Sequence, residues 1–336
     1  MKVNPQQINK INKNNNNNAK QPAISVLVAN YNNDIYLDDC IRSIVTQSFT
    51  DFECIIVDDG STDGSKNIIK KWAKKDPRII PVFQENKGVS AARNVGLNMA
   101  RGRWISFMDS DDCFYSDALK ILYECGEQNN AHIVGGGGVT VPDDFKLSDT
   151  PVQNYVNPQF VVLGFNDVDI VKMEYFGETH RLVWVWRRLF RREVLQDVRF
   201  DEQLYPGEDT RFIYEVLPRA SRIIETRAMV VYHRAARRSV SAAPFNQKSF
   251  NWVAPTMRRL RWIMDTYYSK SYHKHFYANY LDMLTYELVV KPLSSGRMMY
   301  ESAKHLREIY GTEYFPTKYL KRSRRIILWL FLKIFG

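Results

Sequence analysis

From Ala23 onward the apolar residues fall into two alternating rhythms. Short β-branched runs occupy Ile24 to Val28, Phe52 to Val57, Ile79 to Phe83 and Trp104 to Met108. Between them, over Leu37 to Gln47, Ser65 to Lys75 and Gly88 to Ala100, apolar side chains recur every three or four residues, the period of a helix with one buried face. The pattern predicts an α/β fold: a mostly parallel central sheet with helices on both faces, because uninterrupted apolar strands need cover on two sides. A helix starting near Tyr115 follows, then a short strand from His132 to Val134 that runs into Gly135 to Gly138. Pro142 to Gly164 reads as loop. Mixed helix and strand, including a strand over Ala228 to Val231, is expected from Val168 to about Ser241. Tyr, Trp, Arg and Lys at helical spacings beyond Pro244 predict a C-terminal helical extension over residues 245 to 336. Residues 1 to 21, rich in Asn, Lys and Gln, lack the apolar side chains that would order them and read as a disordered tail, leaving 22 to 244 as the main domain.

Ligands of such sheets sit at the carboxyl ends of the strands, and three polar clusters follow strand ends here: Asn30-Tyr31-Asn32, Asp58-Asp59-Gly60-Ser61 and Asp109-Ser110-Asp111-Asp112. Residues two apart on a strand point the same way, so Asp109 and Asp111 can aim two carboxylates at one point, an oxygen-only donor set suited to Mg²⁺ or Mn²⁺ completed by a diphosphate. The competing reading is that Asp112 caps the helix near Tyr115. At Asp58-Asp59, a carboxylate for a ribose or a base N–H competes with simple turn chemistry. Glu208-Asp209 opens a helical run, where a general base to a hydroxyl competes with an N-terminal cap. Tyr232-His233-Arg234 offers an imidazole ligand and a phosphate-binding guanidinium, or a structural histidine.

The chain has 336 residues and a formal net charge of +10, which favours an anionic partner without choosing one. The basic residues are spread along the sequence and no nucleic-acid motif appears, so a nucleic-acid partner is not expected. Four widely spaced cysteines, no apolar leader core and no stretch of about 18 apolar residues predict reduced thiols in the cytoplasm and no membrane span.

Taken together, the clusters resemble the family-2 inverting glycosyltransferases of the GT-A fold over roughly residues 22 to 240. The matching elements are Ser25-Val-Leu-Val-Ala-Asn-Tyr-Asn32, Leu37 with Ser43-Ile-Val-Thr-Gln-Ser-Phe49, Asp51-Phe-Glu53, Ile56-Val-Asp-Asp-Gly-Ser-Thr-Asp63, Asn86-Lys-Gly-Val-Ser-Ala-Ala-Arg-Asn94, Phe107-Met-Asp-Ser-Asp-Asp112 and Gly207-Glu-Asp209. The resemblance implies a Rossmann-like catalytic domain and a hexosyl- or N-acetylhexosaminyltransferase that takes a nucleotide-diphosphate sugar, usually a UDP-sugar, in bacterial surface polysaccharide or lipopolysaccharide assembly. It implies that Tyr31 lies against the base, that Asp59 bonds it and that Arg93 approaches it. Asp109 would hold the ribose or the metal shell, and Asp111 would be the principal ligand of a divalent metal, manganese or magnesium. Asp209 would be the catalytic base and Arg234 a diphosphate contact. Many relatives carry Tyr-Tyr-Arg where this chain has Tyr232-His233-Arg234, so Arg234 matches the pattern while His233 departs from it, and His233 is a second candidate metal ligand on its imidazole alone. Trp184 and Trp186, with Glu208, resemble the acceptor side, where an aromatic sugar platform competes with core packing.

At the C-terminus, Lys318, Lys321, Arg322, Arg324 and Arg325 precede seven apolar residues, Ile326 to Leu332, too few to span a bilayer. Peripheral contact with an anionic membrane on the inner face of the cell, beside a glycan or lipid-linked acceptor, competes with a helix docked on the domain. Two other functions fit parts of the pattern: a nucleotidyltransferase, which has no use for Asp209, and a non-catalytic sugar- or nucleotide-binding protein.

Overall fold

The computed structural model describes residues 20–149, 160–163, 184–203, 208–235, 262–270 and 328. The first four predicted runs form β1 (Ile24–Asn30), β2 (Phe52–Asp59), β3 (Ile79–Gln84) and β4 (Trp104–Asp109), linked by α1 (Asp34–Val45), α2 (Ser65–Lys75) and α3 (Val89–Met99). All their pairings are parallel, in the order β3-β2-β1-β4, so their carboxyl ends share one edge. Burial on both faces accounts for the apolar runs of β1, β2 and β4, whereas β3, at the sheet edge, is only partly buried and exposes Phe83. Val26, Val28, Cys54, Ile56 and Met108 share a core with Leu37, Ile41 and Ile44 of α1 and Ile69 of α2. The alternate positions face the other way: Leu27 lies against Gly96 of α3, and the Phe107 ring meets Phe190 and Phe200 at 5.9 and 5.2 Å.

The sheet continues through β5 (Cys113–Phe114), β6 (Ile133–Val141), β7 (Phe160–Leu163), β8 (Arg188–Arg191) and β9 (Ile223–Arg234), with α4 (Ala118–Gln128) after β5. The full order is β3-β2-β1-β4-β8-β6-β9-β5, with β7 added beside β9. The expected α/β architecture is present, parallel through β4 and mixed beyond it, because β8 runs antiparallel to both β4 and β6.

Three expectations need correction. The strand predicted over His132 to Val134 does not stop at the glycines; β6 runs through them, with register shifts around Gly137. Here glycine makes room rather than a turn. A Cβ at Gly136 would lie 2.6 Å from the Val230 side chain, one at Gly138 3.3 Å from the Trp186 ring, and one at Gly135 would strike Arg188 and Glu225, an ion pair with each side chain 2 % exposed. Within the stretch read as loop, β7 pairs antiparallel with Ile223–Thr226, and β9 is accordingly longer than its predicted core. The helix expected near Tyr115 starts at Ala118, because Cys113 and Phe114 pair with β9 first.

The chain divides into two compact units, Met1–Glu202 with Arg219–Ser239, and Gln203–Pro218 with Val240–Gly336. In the second, residues 262–267 are helical and the Tyr268 hydroxyl donates to the Tyr214 carbonyl at 3.2 Å. Among the described residues no helix is long and apolar enough to cross a membrane. Of the tail read over residues 1–21, residues 1–19 lie outside the described residues, as does most of 245–336, whereas Lys20 and Gln21 bond to Asp51 and to the Arg101 carbonyl; Leu328, in the C-terminal apolar run, is helical and buried.

Candidate active site

At the carboxyl ends of β1 and β2 the polar clusters lock onto one another. Asn30 Nδ2 donates to Asp58 Oδ1 (2.9 Å) and to Ser61 Oγ (3.2 Å), and the Asn32 amide donates to the same hydroxyl at 2.9 Å. Asp58 is therefore a buried brace between two strand tips. Its neighbour Asp59 is also buried and organises the next loop, accepting from Gln84 Nε2 (2.7 Å) and the Lys87 amide (2.9 Å) on Oδ1, and from the Gly88 amide (2.8 Å) on Oδ2. Gly60 makes this junction possible: its φ of +77° is in the left-handed region, and a Cβ there would lie 2.7 Å from the Asn86 nitrogen. Tyr31, half exposed at the end of β1, presents a ring surface beside these loops.

The carboxylate cluster is a turn rather than a continued strand. β4 ends at Asp109, and the Asp112 amide donates to the Asp109 carbonyl at 3.1 Å, so chain reversal and not the β-pleat groups the acidic side chains. Arg93, reaching over from α3, pairs with Asp109 at 2.9 Å while its guanidinium sits 5.1 Å from the Phe200 ring centre. Asp111 is partly buried. Burial first, and then the Asp112 and Asp109 charges, push its carboxyl up to about 7. A carboxylate crowded by like charges gains from a nearby divalent cation, so the donor chemistry fits one. Among the described residues no three histidine, cysteine, aspartate or glutamate side chains gather into a ready-made cation site.

Asp112 caps no helix. It is 1 % exposed, its Oδ1 accepts the Arg234 amide at 2.8 Å, and both oxygens lie 3.2 Å from His233 Nδ1. That hydrogen bond, together with the Asp112, Asp111 and Asp109 charges, raises the His233 imidazole above its usual value against the opposing effect of burial. His233, Trp184 and Trp186 form a compact three-ring cluster, with His233 5.0 Å from Trp186 at 18° and Trp184 4.9 Å from Trp186 at 23°. Trp186 is buried, so of the two tryptophans it is Trp184 that keeps exposed surface. Arg234 is buried as well, its Nε donating to the Asp111 carbonyl at 3.0 Å and its Nη1 to the Asp143 and Phe145 carbonyls. It clamps the carboxylate turn to the loop after β6. Tyr36 completes the clamp, its ring 4.9 Å from that guanidinium and its hydroxyl donating to Asp143.

Sequence reasoning missed Asp112, Asp143 and Tyr36 as members of this cluster. Asp112 was visible in the Asp109-to-Asp112 run but looked like a cap; Asp143 and Tyr36 carry no motif. Glu208 and Asp209 open α5 (Glu208–Val216) in the second unit, both in its first turn, where a helix favours negative charge. A cavity of about 420 Å³ beside the start of β4, lined by Leu97, Ala100, Ile105, Leu195 and Arg199 among others, shares no residue with the carboxylate turn.

The model of the family described as Glycosyl transferase family 2 matches residues 25–199, the segment that builds β1 to β4 and the carboxylate turn. The chain belongs to this family. Among relatives, it is 33% identical over 229 residues to an uncharacterized glycosyltransferase, EpsJ, of Bacillus subtilis, covering 67% of this chain and 64% of that protein. It is 29% identical over 195 residues to the GalNAc(5)-diNAcBac-PP-undecaprenol beta-1,3-glucosyltransferase of Campylobacter jejuni, covering 57% and 59%. The chain thus spans less than two thirds of the length of either relative. The crystal structure of S. aureus TarS 1-349 in complex with UDP-GlcNAc has a TM-score of 0.69 and 17% identity, covering 92% of this chain and 89% of that one, which establishes a shared fold.

Proposed function

We propose that the protein is an inverting glycosyltransferase that moves a sugar from a UDP-sugar to a hydroxyl of a glycan or lipid-linked acceptor in bacterial surface-glycan assembly. The observation that carries this reading is the carboxylate turn at the carboxyl edge of the parallel strands, where Asp111 is crowded by Asp109 and Asp112. The UDP-GlcNAc bound to the TarS fold and the lipid-linked acceptor named for the Campylobacter relative support the substrate classes.

In this reading Tyr31 stacks on the base, while Asp59 uses its remaining acceptor capacity on a base N–H and keeps the Gln84-to-Gly88 loop in place. Arg93 approaches the base and, through its pair with Asp109, holds that carboxylate toward the ribose or the metal shell. Asp111 and His233 would hold a divalent metal. Bound there, manganese or magnesium would neutralise charge developing on the departing diphosphate. Arg234 offers its remaining guanidinium N–H to the donor diphosphate, while its bonds to the Asp111, Asp143 and Phe145 carbonyls keep the carboxylate turn in register with the loop after β6. Asp209 takes the proton of the acceptor hydroxyl as that oxygen attacks the anomeric carbon from the face opposite the diphosphate, so an α-linked donor gives a β-linked product. Glu208 and Trp184 line the acceptor side, with Trp186 packed behind. The basic residues from Lys318 to Arg325 bring the protein to an anionic membrane surface.

Two substitutions separate these roles. Asp209→Asn should lower kcat by about 100- to 10,000-fold and leave UDP binding intact in calorimetric titrations. Asp111→Asn should also weaken the Mn²⁺-dependent part of UDP binding. Full transfer activity in the Asp209 variant removes the assigned base.

A further inference from the structure

Asp112 enters the reading above only as a neighbouring charge, yet it is the most deeply buried carboxylate of the Asp109-to-Asp112 run. A buried carboxylate is costly unless its acceptor sites are filled. Its Oδ1 accepts the Arg234 amide at 2.8 Å, which fixes the carboxylate against β9, and both oxygens then stand 3.2 Å from His233 Nδ1. The same imidazole is held nearly parallel to the Trp186 ring, 5.0 Å away at 18°. One contact sets the edge of the ring and the other sets its plane, so the histidine has little freedom to turn.

We infer that Asp112 is a positioning residue: it holds the neutral His233 imidazole in the tautomer with the proton on Nδ1, leaving the Nε2 lone pair to face a divalent cation. Which nitrogen of a ligating histidine is free is set by the hydrogen bond made by the other, and loss of such an outer carboxylate weakens metal binding by about 10- to 100-fold. The inference rests on His233 being a ligand, as proposed above. It assigns the third carboxylate of the run a place behind the histidine rather than at the metal.

The test is made on the full chain labelled with ¹⁵N-histidine. Long-range ¹H–¹⁵N spectra, with the His233 signals identified by His233→Gln, report the tautomer at a pH where the ring is neutral by its own shifts. Mn²⁺ affinity is measured separately by electron paramagnetic resonance without donor or acceptor. In the wild type the proton is expected on Nδ1. In Asp112→Ala it should move toward Nε2, and Mn²⁺ affinity should fall by about 10- to 100-fold. Asp112→Asn keeps a carbonyl acceptor and should retain the Nδ1–H form, a rescue that a purely structural role would not produce; it also serves if the alanine variant does not fold. A wild-type proton on Nε2, or an alanine variant with unchanged tautomer and unchanged Mn²⁺ affinity, overturns the inference. If His233→Gln leaves Mn²⁺ affinity unchanged, the ligand reading of His233 fails, and an Nδ1–H wild-type spectrum still supports the orienting contact.

Discussion

At the scale of single residues, the site is built by side chains that hold loops as much as by those that face a ligand. Asp59 accepts from Gln84, Lys87 and Gly88, and Gly60 supplies the left-handed backbone that lets the two loops touch. Replacing Gly60 with alanine imposes backbone strain of about 1–2 kcal/mol and forces a Cβ to within 2.7 Å of the Asn86 nitrogen, adding about 1–3 kcal/mol of overpacking. The variant should therefore lose about 2–5 kcal/mol in urea unfolding; an unchanged midpoint would contradict the close approach. Much of this was legible beforehand, because Asp-Gly-Ser after an apolar strand carries its own turn chemistry. Asp112 was not legible. Its partners are His233 and Arg234, 121 and 122 positions away, and nothing local distinguishes it from a helix cap.

The elements divide in the same way. β1 to β4 and the helices between them were readable because β1, β2 and β4 are buried on both faces and the apolar residues of the helices recur at a helical period, so periodicity marks the elements, although α1 spans Asp34–Val45 rather than Leu37 to Gln47. β6 hid behind four glycines, since glycine ordinarily weakens a strand and its use here depends on neighbours from β8 and β9. β7 is four residues long, with Phe160 and Val162 exposed, and has no inward pattern strong enough to announce it. The ion pair of Arg188 in β8 with Glu225 in β9 fills the space that Gly135 leaves, and Arg188 Nε also donates to the Trp184 carbonyl at 3.2 Å. Glu225→Gln leaves a buried guanidinium without its counter-charge and should cost about 3–5 kcal/mol in denaturant unfolding. Pairing it with Arg188→Met should recover most of that loss. A single variant as stable as wild type would show that the charge on Glu225 is not needed there.

For the molecule as a whole, the net charge of +10 and the basic run before Ile326 bear on where it works. Each basic residue near an anionic surface contributes about 1 kcal/mol of attraction, screened by salt. The full chain should float with anionic vesicles at low salt and not with neutral ones, and removing Lys318 to Gly336 should abolish most of that flotation. Unchanged flotation after truncation would place the contact elsewhere, and the burial of Leu328 shows that part of the apolar run already packs against protein. The separation of Asp112 from Arg234 also gives the fold a history in time. On a ribosome adding about 5–20 residues per second, the carboxylate turn is made roughly 6 to 24 seconds before the β9 backbone that anchors it. A nascent chain carries the loops that Asp58 and Asp59 brace throughout that interval, but its carboxylate turn is braced only when β9 arrives, so a product truncated ahead of His233 inherits the loops without the latch.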